Sequence, residues 1–323
     1  MPEKIPPIFE RLALIGVGLI GSSIARAARA QGAARSIVAT ARSQTTRQRV
    51  RELKIADEVA DTNADAVKGA DCIIVCIPVG ACGAVAAEIG PAIAPGAIVS
   101  DVGSVKGAIL RDMAPHIPAK AHLIPAHPVA GTEHSGPDAG FAELFENRWC
   151  ILTPPAGADE KAVAKLKEFW RRLGAEVEVM DATHHDLVLA ITSHLPHLIA
   201  YNIVGTAADL ETGTRSEVIK FSAGGFRDFT RIAASDPTMW RDVFLNNKEA
   251  VLEMLGRFNE DLAALTRAIR TGDGDSLFER FTRTRAIRRS IIEVGQETAE
   301  PDFGRRRASH ETETPMPRPY ASD

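Results

Sequence analysis

The segment IPAHPVAGTEHSG, at residues 124–136, carries side chains suited to acid–base chemistry and has few apolar residues that could build a core. His127 precedes Pro128, whose ring restricts the backbone on both sides of their shared peptide bond and helps to fix the imidazole. Histidine is the side chain best suited to proton transfer near neutral pH. His127 is therefore a candidate for acid–base chemistry; the alternative is a loop histidine that caps a strand end.

A second segment, LALIGVGLIGSSIARAARAQG at residues 12–32, has the glycine spacing of a phosphate-binding turn. Gly16 permits a tight turn after an apolar strand, Gly18 lets the backbone approach a pyrophosphate, and Gly21 lets the following helix pack closely. The amino terminus of that helix, at Leu19 and Ile20, favours phosphate charge. This strand–turn–helix context predicts dinucleotide binding.

The segment VATARSQTTRQR, at residues 38–49, bears on the choice between NAD and NADP. An NAD site is expected to place an acid about 20 residues after the glycines, against the ribose hydroxyls. No Asp or Glu lies between Gly21 and Arg51, and Arg42 and Ser43 stand in that region. One interpretation is a solvated basic helix start. The other is recognition of the 2′-phosphate of NADP, since a guanidinium can pair with it in a bidentate manner. The sequence leaves both cofactors open and leans to NADP.

The order of apolar patterns predicts an α/β domain followed by a helical one. Strand-like runs alternate with helical stretches up to about residue 179, which indicates a mostly parallel sheet covered by helices. The runs are LALIGV, SIVATA, DCIIVCI, AIVSDV, HLIPAH, WCILTP and EVEVMD. Helical periodicity then dominates, as in the segments at residues 243–269 and 277–294. We predict a dinucleotide-binding domain at 9–181, a helical domain at 182–295 and a disordered polar tail at 296–323.

Composition excludes several classes of protein. A net charge of -4 and a pI near 6.2 give no reason to expect nucleic acid or an anionic membrane as partner. The four cysteines have no zinc-like spacing and are expected to be buried thiols in the reducing cytoplasm. Residues 187–208 carry no Asp, Glu, Lys or Arg, but their polar residues favour a buried helix over a membrane span. No metal site is predicted.

Four motifs together resemble the prephenate/arogenate (cyclohexadienyl) dehydrogenase family. They are SDVGSVKG at 100–107, AHPVAGTEHSG at 126–136, SHLPH at 193–197 and GGFRDFTRIAASDPTMWRD at 224–242, and their order and spacing agree with the family from about residue 12 to 294. The resemblance implies a Rossmann-type domain and an all-α dimerisation domain, arranged as in 6-phosphogluconate dehydrogenase. It also implies a homodimer that oxidatively decarboxylates prephenate or arogenate with NAD(P)+, in tyrosine biosynthesis.

The resemblance also implies roles for residues of the first domain. His127 matches the family's catalytic histidine, and Ser104 is placed beside the nicotinamide and the substrate hydroxyl, although Ser104 is also suited to capping the following helix. Pro78 joins the expected cofactor-binding residues. Thr132 and Glu133 are expected near the substrate, where an acid could meet the amino group of arogenate or make a dimer or gating contact.

In the helical domain the resemblance implies a substrate pocket. Arg231 is expected to bind a substrate carboxylate through its two-point fork, and its alternative role is a surface or interface salt bridge. His194 and His197 share a helix face. By themselves they would be satisfied core histidines, and a zinc site lacks a third ligand at helical spacing. The other residues assigned to this pocket are Ser193, Trp240 and, less directly, Asp228.

Two other hypotheses stay open at this point. One is another dehydrogenase of the same two-domain class, such as a 3-hydroxyacid dehydrogenase or an imine reductase, for which a catalytic Lys or Asp in the helical domain is expected. The other is a non-catalytic NAD(P)-sensing protein, which has no reason to keep His127, Ser104, His197 and Arg231 together. The resemblance includes no chorismate mutase segment and no regulatory domain, so any feedback by tyrosine is expected to act at the active site.

Overall fold

The computed structural model of the chain describes residues 6–132, 134–209, 220 and 224–293. A six-stranded sheet with the order β3-β2-β1-β4-β5-β6 forms the centre of the first part. Every neighbouring pair in it is parallel, and the order is that of a dinucleotide-binding sheet, as predicted. The strands are β1 (Phe9–Ile15), β2 (Ala34–Thr40), β3 (Glu58–Val59), β4 (Cys72–Val75), β5 (Ile98–Asp101) and β6 (His122–Leu123).

Helices cover both faces of this sheet, and the central strands show it. Every residue of β4 and of β5 is buried, which is the pattern of a parallel sheet with helices on each side. The connecting helices are α1 (Leu19–Ala30), α2 (Gln44–Glu52), α3 (Asn63–Val67), α4 (Cys82–Ile89) and α5 (Lys106–Met113). The loops that follow the strands therefore meet at one edge of the sheet, where a nucleotide is bound in such folds.

The predicted strand at residues 122–127 is wrong as a single strand, because the chain changes sheets within it. After β6 the chain enters a three-stranded sheet made of β7 (Ala126–Pro128), β8 (Trp149–Leu152) and β9 (Glu176–Val179), with α6 (Glu160–Arg172) between the last two. Here β7 pairs antiparallel with β8. Pro125, at the switch, has no N–H for a strand ladder, and its carbonyl accepts a hydrogen bond from Thr153 N at 2.9 Å.

Beyond β9 the described chain is helical, as the sequence predicts. The helices are α7 (Ala182–Leu189), α8 (Leu195–Ala208), α9 (Gly224–Thr230), α10 (Pro237–Asn246), α11 (Lys248–Thr271) and α12 (Gly274–Glu293), with a π-helical turn at Ala190–His194 between α7 and α8. The apolar repeat at residues 243–269 is divided by Asn247, which ends α10 with φ -110° and ψ 34°. The predicted tail at 296–323 lies outside the described residues.

The helical part packs directly onto the edge of the sheet where its loops meet. Helix α10 contacts the turn at Val79–Ala81, and a Cβ on Gly80 would lie 2.8 Å from Asp242 Oδ2. Trp240 is buried in the same apolar cluster as Val79. This contact brings the helical part to the carboxyl end of β4, beside the glycine loop.

The continuous helix Ala182–Ala208 is less buried than the sequence predicts. Among the described residues it is the one helix that is long and apolar enough to cross a membrane by length and composition. Within the single chain 28% of its most apolar window is buried, and Leu187, Ile191, Ile203 and Val204 are exposed by 38% to 47%. The expected burial is therefore not provided by this chain alone.

Candidate active site

The glycine loop has the backbone geometry that a bound dinucleotide requires. Gly16 has φ +96°, and a Cβ there would collide with the carbonyl oxygen of Cys76. A Cβ on Gly21 would collide with the carbonyl oxygen of Gly16, so α1 packs closely against the turn. A Cβ on Gly18 would meet no atom within 4 Å, which leaves open space where the backbone can approach a pyrophosphate.

The amino terminus of α1 suits a phosphate group. Its first turn contains no acidic residue, and Gly18 provides no side-chain cap for the N–H groups at Leu19, Ile20 and Gly21. Unsatisfied N–H groups and the helix dipole at such an end favour an anion. The residues present therefore fit a dinucleotide.

The other predicted cofactor residues lie after β2 and β4, at the same edge of the sheet. Arg42 follows β2 and is exposed, and its guanidinium makes no ion pair with a described residue. Ser43 is the N-cap of α2, where its hydroxyl accepts from Thr46 N at 3.0 Å. Pro78 is exposed after β4 and precedes the turn at Val79–Ala81. Thr40 ends β2, and no Asp or Glu lies between Gly21 and Arg51 in the sequence.

His127 lies on β7 and is 7% exposed. Its Nδ1 lies 2.9 Å from Nε2 of His185, and its Nε2 makes no hydrogen bond with a described residue. Burial, and then the positive charges that His185, Lys106 and His194 can carry, lower the pKa of His127 well below 6.5. The imidazole is therefore neutral at neutral pH and can accept a proton.

His185 and Asp186, on α7, connect His127 to the start of α5. His185 Nδ1 lies 2.8 Å from Asp186 Oδ1, and the Asp186 carboxylate accepts from the backbone N–H groups of Lys106 at 2.7 Å and Gly107 at 2.8 Å. Asp186 thus caps α5 from another helix, and the N-cap position is held by Val105 without a side-chain hydrogen bond. The capping role considered for Ser104 is therefore not found.

A buried ion pair connects the segments around Ser104 and His127. Lys106 and Asp101 have fully buried side chains and form a salt bridge, and Lys106 Nζ also donates to the Ala126 carbonyl at 2.8 Å. Asp101 accepts from Gly103 N at 2.7 Å and from Ala126 N at 3.2 Å. These bonds tie the end of β5, the Ser104 loop and the start of β7 together. Removal of one partner would leave an unpaired buried charge, which is strongly destabilising.

His194 is held by Asn247. The Asn247 amide donates to the Asp186 carbonyl at 2.8 Å and to His194 Nδ1 at 3.0 Å, which leaves the His194 proton on Nε2. This Nε2 is buried and makes no hydrogen bond with a described residue. The Ser104 backbone lies close to His194 and acts to raise its pKa. Burial lowers the pKa of His194 to about 4.

His197 and Arg231 form the side of the site built by the helical part. His197 Nδ1 donates to the Ser193 carbonyl at 2.8 Å, and the ring stacks on Trp240 with centroids 3.7 Å apart. Burial lowers the pKa of His197, and the nearby charge of Arg231 lowers it further. Arg231 itself is half-buried at the start of the turn Arg231–Ala234.

The predicted residues divide into those that the structure brings together and those that it does not. His194 affects the pKa of His127, His197 affects the pKa of His194, and Arg231 affects the pKa of His197. These four side chains therefore lie near one another, and the Ser104 backbone lies beside His194. Thr132 is half-buried, and its hydroxyl accepts from His134 N at 3.3 Å. Other predicted residues of this group are Ser193, which contributes its carbonyl, Asp228, which is exposed on α9, and Glu133, which lies outside the described residues. No group of three or more His, Cys, Asp or Glu in the described ranges is placed to hold a metal ion.

Several residues of the site were missed by the sequence reasoning. His185 contacts the predicted His127, Asn247 contacts the predicted His194, and Asp186 contacts His185. One available signal was the adjacent pair His185 and Asp186 directly before an apolar stretch of helix. Another was the presence of Asp101 and Lys106 in the same motif as Ser104. Asn247 gave no signal, since its role depends on a tertiary contact.

Sequence comparison gives matches over both parts of the chain. The family described as "Prephenate dehydrogenase, nucleotide-binding domain" matches residues 24–179, and "Prephenate dehydrogenase, dimerization domain" matches residues 181–283. Cyclohexadienyl dehydrogenase of Zymomonas mobilis is 43% identical over 284 residues, covering 88% of this chain and 97% of the relative. Prephenate dehydrogenase of Bacillus subtilis is 32% identical over 295 residues, covering 91% and 79% respectively.

Structural comparison agrees with these matches. The crystal structure of prephenate dehydrogenase from A. aeolicus, in complex with hydroxyphenyl propionate and NAD+, is similar with a TM-score of 0.81 and 33% sequence identity, covering 87% of this chain and 98% of that chain. The family suggested by the four motifs is thereby confirmed, and with it the Rossmann-type fold and the class of oxidoreductase. The chain belongs to the prephenate dehydrogenase family.

Proposed function

We propose that this chain catalyses the NAD(P)-dependent oxidative decarboxylation of prephenate, arogenate or both, in tyrosine biosynthesis. The observation that carries the proposal is the buried His127, which is neutral at neutral pH, at the edge of the sheet where the glycine loop and the Ser104 loop also lie. The names of its relatives, which are cyclohexadienyl and prephenate dehydrogenases, support the choice of substrate class.

The chemistry explains why a neutral base is needed. The substrate is a cyclohexadiene with a hydroxyl at one end of the ring and a carboxylate at the other. When bound, the nicotinamide supplies the acceptor for the hydride that leaves the hydroxyl-bearing carbon. His127 takes the hydroxyl proton as that C–H bond breaks, so that a ring carbonyl forms without a cationic oxygen. The carbon–carboxylate bond then breaks, its electron pair restores the aromatic ring, and the oxygen takes the proton back.

The remaining residues are assigned to substrate binding. Arg231 would pair with a substrate carboxylate, and Ser104 would bind the ring hydroxyl beside His127. His197, held by Trp240 and the Ser193 carbonyl, would line the pocket between them. Also proposed for this pocket are His194, Thr132 and Glu133, the last two from the loop that follows His127.

The glycine loop is proposed to hold the pyrophosphate of NAD or NADP. Arg42 and Ser43 would lie beside the adenosine ribose, and Pro78 beside the nicotinamide half. An exposed guanidinium and the lack of a ribose acid support a lean to NADP. The solved relative from A. aeolicus was captured with NAD+, so this lean rests on these two features of the chain.

A homodimer formed through residues 182–295 is proposed as the working assembly. The support is the apolar surface that the single chain leaves exposed on the helix Ala182–Ala208, together with the family's designation of this region as a dimerization domain. We also propose a domain boundary between residues 181 and 182. A cytoplasmic location is proposed as well, and the four free cysteines support it.

The alternatives have weaker support. A 3-hydroxyacid dehydrogenase, an imine reductase or a non-catalytic sensor would share the glycine loop, but the family match extends over both parts of the chain. Steady-state kinetics with prephenate and with arogenate, each with NAD+ and NADP+, test the proposal. Turnover in at least one combination, with carbon dioxide released in equal amount to the reduced cofactor, is expected. No turnover in all four would overturn it.

A further inference from the structure

A chain of hydrogen bonds runs from His127 through His185 to Asp186. His127 Nδ1 and His185 Nε2 are 2.9 Å apart, and His185 Nδ1 and Asp186 Oδ1 are 2.8 Å apart. All three side chains are buried, and the two imidazoles meet edge to face with centroids 5.1 Å apart. In the proposed reaction His127 is the base, and His185 and Asp186 do not touch the substrate.

The direction of these bonds follows from the carboxylate. Asp186 already accepts from the backbone N–H groups of Lys106 and Gly107, and an ionised carboxylate can only accept. His185 Nδ1 must therefore carry a proton and donate it. In a neutral imidazole the other nitrogen is then an acceptor, so His185 Nε2 receives the hydrogen bond and His127 Nδ1 donates it.

We propose that His185 and Asp186 are positioning residues that keep the proton of neutral His127 on Nδ1, so that its Nε2 lone pair faces the substrate hydroxyl. The inference rests on the proposed function, because it assigns the orientation of the base that function requires. It extends the site from one histidine to a three-residue unit spanning β7 and α7.

The surroundings favour the neutral state of His185 that this orientation needs. Burial lowers the pKa of His185, and the charge of Lys106 adds to this, while Asp186 and Asp101 act in the opposite direction. A protonated His185 would donate from both nitrogens and force His127 Nδ1 to accept. The other charged or titratable group that acts on His127 is His194, from the π-helical turn.

The same carboxylate also caps α5, and this complicates a direct test. Replacement of Asp186 removes the cap on Lys106 N and Gly107 N, and such a variant can lose its fold for reasons unrelated to His127. His185 is the better position, because its ring contacts His127 on one side and Asp186 on the other. Its neighbour His184 is exposed on the same helix and serves as the matched control.

The direct measurement is the ¹⁵N NMR spectrum of histidine-labelled protein at neutral pH, with His127→Asn used to assign the His127 signals. The expected result is a protonated Nδ1 and an unprotonated Nε2 on His127 in the wild type and in His184→Met. In His185→Met, which fills similar space without an acceptor, His127 should shift towards the Nε2-protonated form. An Nε2-protonated His127 in the wild type would overturn the proposal.

Kinetics supply the second readout. His185→Met should lower kcat by about 10-fold or more with little change in KM, because the base itself contributes about 100-fold or more. His185→Gln should restore most of kcat, since its amide oxygen can accept from His127 Nδ1 at the position of the lost nitrogen. Equal losses in the Met and Gln variants, or none in either, would overturn the positioning role.

The two proposals fail in different ways. If His127→Asn keeps its activity, then the assignment of the base is wrong, whatever the tautomer proves to be. If His127→Asn is inactive but His185→Met keeps both the wild-type tautomer and the wild-type kcat, then only the positioning role is wrong.

Discussion

The imidazole of His197 lies flat against the indole of Trp240, with ring centroids 3.7 Å apart and planes inclined by 23°. Trp240 also belongs to the apolar cluster that includes Val79, at the end of β4 in the first part of the chain. The stacked pair is therefore one of the places where the helical part of the site is fixed to the nucleotide-binding part.

This relationship predicts the effect of changing Trp240. Trp240→Leu removes the aromatic face, so His197 loses its support and KM for the substrate should rise several-fold, with a smaller fall in kcat. Trp240→Phe keeps an aromatic ring and should lie closer to the wild type. Steady-state kinetics of both variants, with urea unfolding to measure stability in parallel, check this. Identical KM values in both variants and the wild type would contradict it.

Cofactor choice is predicted to depend on Arg42. Arg42→Asp replaces an exposed cation after β2 with an acid that repels a 2′-phosphate and can bind ribose hydroxyls, so the NADP/NAD ratio of kcat/KM should fall. Arg42→Ala should produce a smaller fall. The matched control is Gln48→Glu, which adds a negative charge further along α2. An unchanged ratio in Arg42→Asp would show that Arg42 does not contact the ribose.

Assembly is predicted to depend on the helix Ala182–Ala208. Ile203 is 39% exposed on it, and Ile203→Glu would place a charge in the proposed dimer interface. Light scattering at micromolar concentration should show a dimer for the wild type and for the control Lys161→Glu, on the exposed side of α6, but a monomer for Ile203→Glu. A stable wild-type monomer would contradict the proposed dimer. A dimeric Ile203→Glu would show that this surface of the helix is not the interface.

Stability is predicted to fall at acid pH because of His194. Its pKa is lowered from 6.5 to about 4 in the folded chain, so below pH 6.5 the unfolded state binds a proton that the folded state does not. The free energy of unfolding should therefore decrease as pH falls from 6.5 towards 4, by about 3 kcal/mol from this group.

The measurement is urea unfolding at a fixed protein concentration over that pH range. His194→Gln, which can still accept from Asn247, should show a shallower decline than the wild type. The exposed His116 offers a control, and His116→Gln should follow the wild-type curve. A wild-type curve that is flat below pH 6.5, or one that His194→Gln leaves unchanged, would contradict the prediction.

Much of the fold could be predicted from the sequence because its signals are local. Glycine spacing, apolar runs and helical periodicity each depend on neighbours along the chain, and they placed the glycine loop and most strands correctly. The switch of sheets at Pro125 was not predicted, because both halves of HLIPAH have strand-like patterns. The division of the long helical repeat at Asn247 was missed for a related reason, since that residue is held by contacts with another helix.

The residues of the site also divide into those with a signal in the local sequence and those that depend on tertiary contacts. His127, Ser104, His197 and Arg231 stand in motifs whose resemblance to a known family could be recognised in the sequence. His185 and Asp186 act through hydrogen bonds to residues 58 and 80 positions away in sequence, and no local pattern encodes such contacts. The apolar sequence of the helix Ala182–Ala208 predicts that its surface is covered, and our prediction is that a second chain of a dimer covers it.

The roles of base and clamp predict opposite kinetic effects. His127→Asn removes an interaction needed mainly as the C–H bond breaks, so kcat should fall by about 100-fold or more with little change in KM. Arg231→Ala removes a charge-assisted contact present before and during the reaction, so KM should rise by about 10- to 100-fold, with a smaller fall in kcat.

The pH dependence of kcat in the wild type and in His127→Asn is the most direct test of His127 as the base. Because the pKa of His127 lies well below 6.5, its neutral form persists through neutral pH, and proton uptake abolishes the base only at lower pH. The wild-type kcat should be level near neutrality and fall well below pH 6.5, and the small residual kcat of His127→Asn should lack that fall. A near-wild-type kcat in His127→Asn, or an acid fall that survives unchanged in it, would contradict the account.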